Sequence, residues 1–296
     1  MIVFITVALV MLLSCTVVPV CGSIWFATRA ARSGRRRGLH VLRGLVVAAG
    51  GVVVLALVAW NTRIDEHYDD FGSLMTTLAG IAGGALLVVG IGPCTPWLLG
   101  VLGRRAVRLP PVFRTAARRM AGRPAAVAAT VAATALAATV MIIQSAVDAQ
   151  GRATYEPEAR MGTPVERGYE SGTGWRVVIA AAVLVAFACA LAMIRTVRPA
   201  RVLDRVSGGL RMLLTCRAAF GAACGTVIGT AVGCVIGLLL AWPMTAPIDW
   251  EPPPRAPFET PWALLAALAF GLPVLAAAVT VLAPLVLRVA GRDRGR

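Results

Sequence analysis

With 296 residues, of which 58% are apolar and 15% charged, the chain is too hydrophobic for an ordinary soluble domain. The formal charge of +15 comes from 29 basic residues, all of them arginine, against 14 acidic ones. The lack of any lysine excludes a P-loop, whose lysine reaches the nucleotide phosphates, so the chain holds no Walker-type nucleotide site of its own.

Taken in chain order, the uncharged runs are Ile2–Phe26, Gly44–Trp60, Ser73–Leu102, Ala125–Val147, Val177–Ile194, Ala218–Ala241 and Trp262–Leu287. Each is near or above the roughly 20 residues that an α-helix needs to cross about 30 Å of hydrocarbon. The fold expected is all-α: a polytopic helical membrane protein with about seven transmembrane helices. The first run has no positive segment ahead of it and its arginines follow it, so it is expected to be a retained span rather than a signal peptide.

The loops between the runs alternate in charge. Arg29 to Arg43, Arg104 to Arg123, Arg195 to Arg217 and Arg288 to Arg296 hold 23 arginines, with only Asp204 and Asp293 against them. The intervening connections carry the acidic residues Asp65, Glu66, Asp69 and Asp70, then Asp148, Glu156, Glu158, Glu166 and Glu170, then Asp249, Glu251 and Glu259. Short arginine-rich loops stay cytoplasmic, which predicts the N-terminus outside and the C-terminus inside. Trp60, Trp175, Trp242 and Trp262 fall at the outer ends of this layout and Trp25 and Trp97 near the inner ones, where indole prefers the headgroup zone. The positive charge is thus an orientation signal tied to membrane lipid, and no nucleic-acid partner is expected.

The remaining chemistry is sparse. The seven cysteines sit in or beside the runs and form no C-x-x-C pair, and His40 and His67 fall on opposite sides, so neither a disulfide framework nor a metal site is expected. No Asp, Glu, Lys or His lies at mid-membrane in any run, which argues against an ion-coupled carrier. No nucleophile stands beside a base, and the expectation is of no enzyme activity and no cofactor. Gln144, Ser145, Thr130 and Thr226 are polar residues suited to interhelical hydrogen bonds or to the interface.

Two segments stand out. In the stretch from Val112 to Gly122, Val112, Phe113, Ala116, Ala117 and Met120 recur at helical spacing and Arg114, Thr115, Arg118 and Arg119 fill the other face. This predicts an interfacial elbow helix, ended by Gly122-Arg123-Pro124. In the sixth run Gly221, Gly225, Gly229, Gly233 and Gly237 recur every four residues. Such a small-residue strip lets helix backbones approach closely in lipid, so it is expected to be a packing face.

At Arg114-Thr-Ala-Ala-Arg118-Arg119-Met-Ala-Gly122-Arg123-Pro124-Ala-Ala the chain resembles the start of the second transmembrane repeat of FtsX-like permeases, the membrane subunits of a class of ABC transporters. Thr95-Pro-Trp-Leu-Leu-Gly-Val-Leu-Gly-Arg-Arg-Ala-Val-Arg-Leu-Pro110 is similar to the linker before that repeat in actinobacterial members, and the glycine strip, Thr260-Pro-Trp262 and Gly271-Leu-Pro273 are similar to the last two helices. The resemblance covers most of 82–292 and matches the last seven spans of ten-span members.

It implies a three-span part over 1–103, a basic linker with the elbow helix over 104–124, and a four-span permease repeat over 125–296, with a shortened extracytoplasmic loop at 148–174. It further implies a bacterial plasma membrane location and a separate cytoplasmic ATP-binding subunit docking on the loop after span five, where Arg201, Val202, Leu203, Arg205, Val206 and Leu210 are the candidate contacts. A second copy or a second permease chain is a further expected partner. Leu203-Asp204-Arg205-Val206-Ser207 departs from the family's docking pattern and the first repeat is absent, so a non-transporting scaffold or regulatory subunit is the alternative expectation.

Overall fold

A computed structural model describes residues 2–32, 37–64, 70–105, 124–160, 208–245 and 260–292. Within these the only residues outside helix are Thr245, Thr260 and Pro261. The helices are α1 (Ile2–Arg32), α2 (Arg37–Ile64), α3 (Asp70–Ile91), a 3-10 turn (Gly92–Cys94), α4 (Thr95–Arg105), α5 (Pro124–Arg160), α6 (Gly208–Met244) and α7 (Trp262–Arg292). Among the described residues four stretches are long and apolar enough to cross a membrane, Gly38–Thr62, Met75–Val101, Ala125–Gly151 and Ala219–Met244, with Trp262–Ala278 a shorter apolar helix.

The apolar surface is turned outward as well as inward. On α2, Leu42, Val46, Val53 and Leu57 are exposed while Leu55 and Val58 are buried, so only one stripe of the helix faces protein. A surface of this kind is stable in lipid, where apolar side chains lose nothing by exposure and helices satisfy their own backbone groups. Over its described residues the molecule is an all-helical membrane protein.

Close approaches of backbone fix the helix directions. Gly44 of α2 lies against Gly90 and Pro93, and Gly51 lies against Gly83 and Leu87, so α2 and α3 run antiparallel. On α3, Gly80 meets Leu240 and Gly84 meets Ile236, which makes α3 antiparallel to α6. Ala222 packs with Ala276 near one end of α6, and Ala241 clusters with Leu265 and Leu268 near the other, so α7 is antiparallel to α6. α1 joins α2 through residues 33–36 and so runs against it. α2 and α6 therefore point one way, and α1, α3 and α7 the other.

The helix α5 forms the centre. In its membrane-length stretch 67% of the residues are buried, against 28% for α2 and 39% for α3 and α6. Its most extensive contact is with α6, and α1, α4 and α7 also pack on it.

The third apolar run is interrupted rather than straight. Pro93 cannot donate the backbone bond a helix needs there, and the chain tightens into the 3-10 turn before α4 resumes. Cys94 Sγ lies 3.6 Å from Gly90 O and 3.8 Å from Val41 O, and Thr95 Oγ1 donates to Ile91 O at 3.2 Å. α1 crosses at this point: a Cβ on Gly92 would stand 2.5 Å from Ser23 O, so only glycine admits the crossing. The region expected as a loop from Asp148 onward is helical as far as Arg160, since α5 continues past the apolar run. At 37 residues each, α5 and α6 are about 55 Å long, well beyond the hydrocarbon thickness.

Candidate functional site

The glycine strip lies against α5. Beside Gly225 is Thr130, beside Gly229 are Val131 and Thr134, beside Gly233 are Ala135 and Ala138, and beside Gly237 is Ile142. Residue numbers rise together on both helices, so α5 and α6 are parallel neighbours in register. Gly221 is also buried.

The approach leaves no room for a side chain. A Cβ on Gly225 would stand 2.8 Å from Thr130 Cβ, one on Gly229 2.6 Å from Val131 O, and one on Gly237 2.9 Å from Ile142 Cβ. At Gly233 the nearest atoms are Ala135 O and, at 2.6 Å, Ala138 Cβ. α5 answers the strip with residues that are themselves small, and its buried face is largely alanine and threonine. Two flat surfaces then gain many dispersion contacts at once, the main attraction between helices in lipid.

Threonine hydroxyls line the seam, each within reach of a carbonyl on its own helix and of one across it. Thr134 Oγ1 donates to Thr130 O at 2.7 Å on its own helix and lies 3.4 Å from Gly225 O across it. Thr139 Oγ1 lies 2.8 Å from Ala135 O and 3.2 Å from Gly233 O. On the other flank of α6, Thr226 Oγ1, fully buried, is 3.1 Å from Ala269 O of α7. Each hydroxyl thus has an acceptor inside the protein, on its own helix or a neighbour, where lipid offers none. Among the other polar residues, Thr130 Oγ1 bonds Ala126 O and Gln144 Nε2 bonds Asp148 Oδ1, both within α5.

The two ends of the bundle differ chemically. Trp25 and Trp97, with Arg29, Arg32, Arg43 and Arg104, lie at the end where α1 stops and α2 starts; Trp60, Trp242, Trp262 and Asp148 lie at the opposite end. α6 begins with the arginine-bearing segment Gly208–Arg217 on the basic side. α5 finishes with Asp148–Arg160 on the acidic side. The parallel pair therefore extends beyond the apolar zone at both ends, one helix at each.

Of the docking candidates, Arg201, Val202, Leu203, Arg205 and Val206 lie outside the described residues, and Leu210 is in the first turn of α6, which is continuous with the rest of that helix. The elbow residues Phe113, Arg114, Arg118 and Arg119, like Trp175, also lie outside them. Among the described residues no group of three or more His, Cys, Asp or Glu could hold a metal ion. What the arrangement offers is geometric: two parallel helices held in register along a tight seam.

Sequence reasoning missed a second seam. Gly44 and Gly51 on α2 face Gly90 and Gly83 on α3, at a seven-residue spacing on both helices. That spacing is a visible signal, two turns of helix on one face, once both runs are compared. No known protein family, curated protein or solved structure matches the chain.

Proposed function

We propose that the chain is the permease subunit of an ABC-type transport complex in a bacterial cell membrane, coupling a separate cytoplasmic ATPase to the movement or extraction of a hydrophobic or amphiphilic substrate. The observation that carries this reading is the parallel α5–α6 pair, which projects on the basic side through Gly208–Arg217 and on the acidic side through Asp148–Arg160. A subunit that receives a push on one face and delivers it on the other needs such a rod, and the glycine seam stops its two helices from sliding independently.

The proposal takes the arginine-rich end as cytoplasmic and counts seven spans. α1 and α7, 31 residues each, are long enough for two of them. The parallel pair leaves the end of α5 and the start of α6 at opposite ends of the bundle, and the apolar run Val177–Ile194 lies in the sequence that joins them. With one span there, the N-terminus is outside and the C-terminus inside. The resemblance to FtsX-like permeases supports the same layout from the sequence alone.

The test is recovery of a partner. A pull-down in mild detergent should return a Walker-type ATPase, and replacing Leu203 and Val206 together with glutamate should abolish its recovery without changing membrane insertion. Return of a full-length permease and no ATPase would instead favour the scaffold role.

A further inference from the structure

The end of α1 carries an arrangement that orientation does not require. The Arg29 guanidinium carbon stands 5.0 Å from the centroid of the Trp25 ring, one helical turn earlier. The Trp25 ring in turn meets Phe26 edge-on, at 4.8 Å between centroids and 81° between planes. Thr28 Oγ1 donates to Trp25 O at 2.7 Å. All three of these larger side chains are exposed, Trp25 to 52% and Phe26 to 41%.

A guanidinium held over an indole face loses rotamer freedom while the N–H donors along its edge stay open, and that fork matches two oxygens of a phosphate. Among the described residues, none at this end of the bundle is acidic. The sequence holds no Asp or Glu in 1–64 or in 71–147. The helices packed against α1 are α2, α3, α4 and α5, and the acidic residues Asp70 of α3 and Asp148 of α5 sit at the far end of the bundle. Arg32 and Arg43, both exposed, add positive potential at the same end. Apolar surface continues from there: Leu39, Leu42 and Val46 of α2 are all exposed.

We propose that the Trp25–Arg29 stack at the basic end of α1 is a binding site for the phosphate of an anionic phospholipid, with the exposed aliphatic face of α2 taking the acyl chains. The occupant is a lipid rather than free phosphate because the donors sit on an aromatic shelf beside apolar surface, which a soluble ion would leave uncovered. An anionic headgroup is favoured over a zwitterionic one because Arg32 and Arg43 repel a headgroup ammonium. The proposal rests on the basic end lying at headgroup level and not on any ATPase partner, so it stands or falls independently of the transport reading.

The experiment compares lipid retention by native mass spectrometry of the full chain, exchanged into micelles with phosphatidylglycerol or phosphatidylcholine. The wild type should retain phosphatidylglycerol preferentially. Arg29→Lys keeps the charge, hence the topology, but loses the fork and the planar stack, and should retain about tenfold less, the loss of roughly one charge-assisted hydrogen bond. Trp25→Leu should lower retention in the same direction, and it decides the matter if Arg29→Lys does not purify as a monodisperse protein. Arg104→Lys, at a site with no aromatic partner among the described residues, should match the wild type. Equal retention by Arg29→Lys and wild type, equal retention of the two lipids, or displacement of the lipid by millimolar inorganic phosphate would each overturn the site and leave these arginines as orientation signals.

Discussion

Gly229→Ala is the smallest change that probes the central seam. The new Cβ would stand 2.6 Å from Val131 O and 2.9 Å from Thr134 Cβ, with Thr134 Oγ1 nearer still. A carbon–oxygen contact normally stands at about 3.3 Å or more, so the two backbones must part by about 0.7 Å. A gap of that size forfeits a quarter to a half of the dispersion well for each contact along the seam. It also lengthens the 3.4 Å approach of Thr134 Oγ1 to Gly225 O. Overpacking costs about 1–3 kcal/mol, and the better helix propensity of alanine offsets up to about 1 kcal/mol. The net expectation is a loss of up to about 3 kcal/mol, centred on about 1–2 kcal/mol. Gly271 supplies the contrast, because a Cβ there meets nothing within 4 Å, so Gly271→Ala should be neutral or stabilising by up to about 1 kcal/mol. Unfolding in mixed micelles titrated with a denaturing detergent, followed by helical circular dichroism, measures both. Equal stability of the two variants would refute the close parallel packing.

Three further substitutions test the rest of the bundle by the same assay. Thr226→Val keeps the shape but removes the donor to Ala269 O, and should cost about 0.6–2 kcal/mol; an unchanged value would mean that this bond holds nothing between α6 and α7. Leu55→Ala, at a fully buried position between α2 and α3, should cost about 2–5 kcal/mol, whereas Leu57→Ala, 61% exposed, should cost under about 1 kcal/mol, and the reverse order would mean that α2 is rotated from the position described. Ser23 Oγ is buried with no hydrogen-bond partner among the described residues, so Ser23→Ala should be at least as stable as the wild type; a loss beyond about 1 kcal/mol would reveal a partner for that hydroxyl.

Much of the architecture can be followed from the residues. Hydropathy marks the helices because a span must be apolar over its whole length, and the four-residue glycine period marks the packed face of α6 because it returns to one side of the helix every turn or so. Neither signal names the neighbour. That α5 answers the strip in parallel follows from its own small residues, Thr130, Thr134, Ala135 and Ala138, which look unremarkable alone in an alanine-rich chain. The 3-10 turn at Gly92–Cys94 was hidden because Pro93 sits inside a run whose apolarity never falters. The continuation of α5 to Arg160 was hidden by the opposite error: charge at Asp148 marks the edge of the hydrocarbon, while Ala149, Gln150, Arg152 and Ala153 remain good helix formers. Apart from Leu210, in the first turn of α6, the docking and elbow candidates lie outside the described residues, so their positions rest on sequence alone.

The account centres on a parallel pair of helices that begin on one side of the membrane and end on the other. Single cysteines placed at Glu158, in the final turns of α5, and at Arg211, in the first turns of α6, report this directly when the native cysteines are replaced and intact cells are compared with inverted vesicles. With a membrane-impermeant thiol reagent, position 158 should label only from outside and position 211 only from the cytoplasmic side. Labelling of both positions from the same side would contradict the parallel pair, and with it the proposal that this pair carries motion across the membrane.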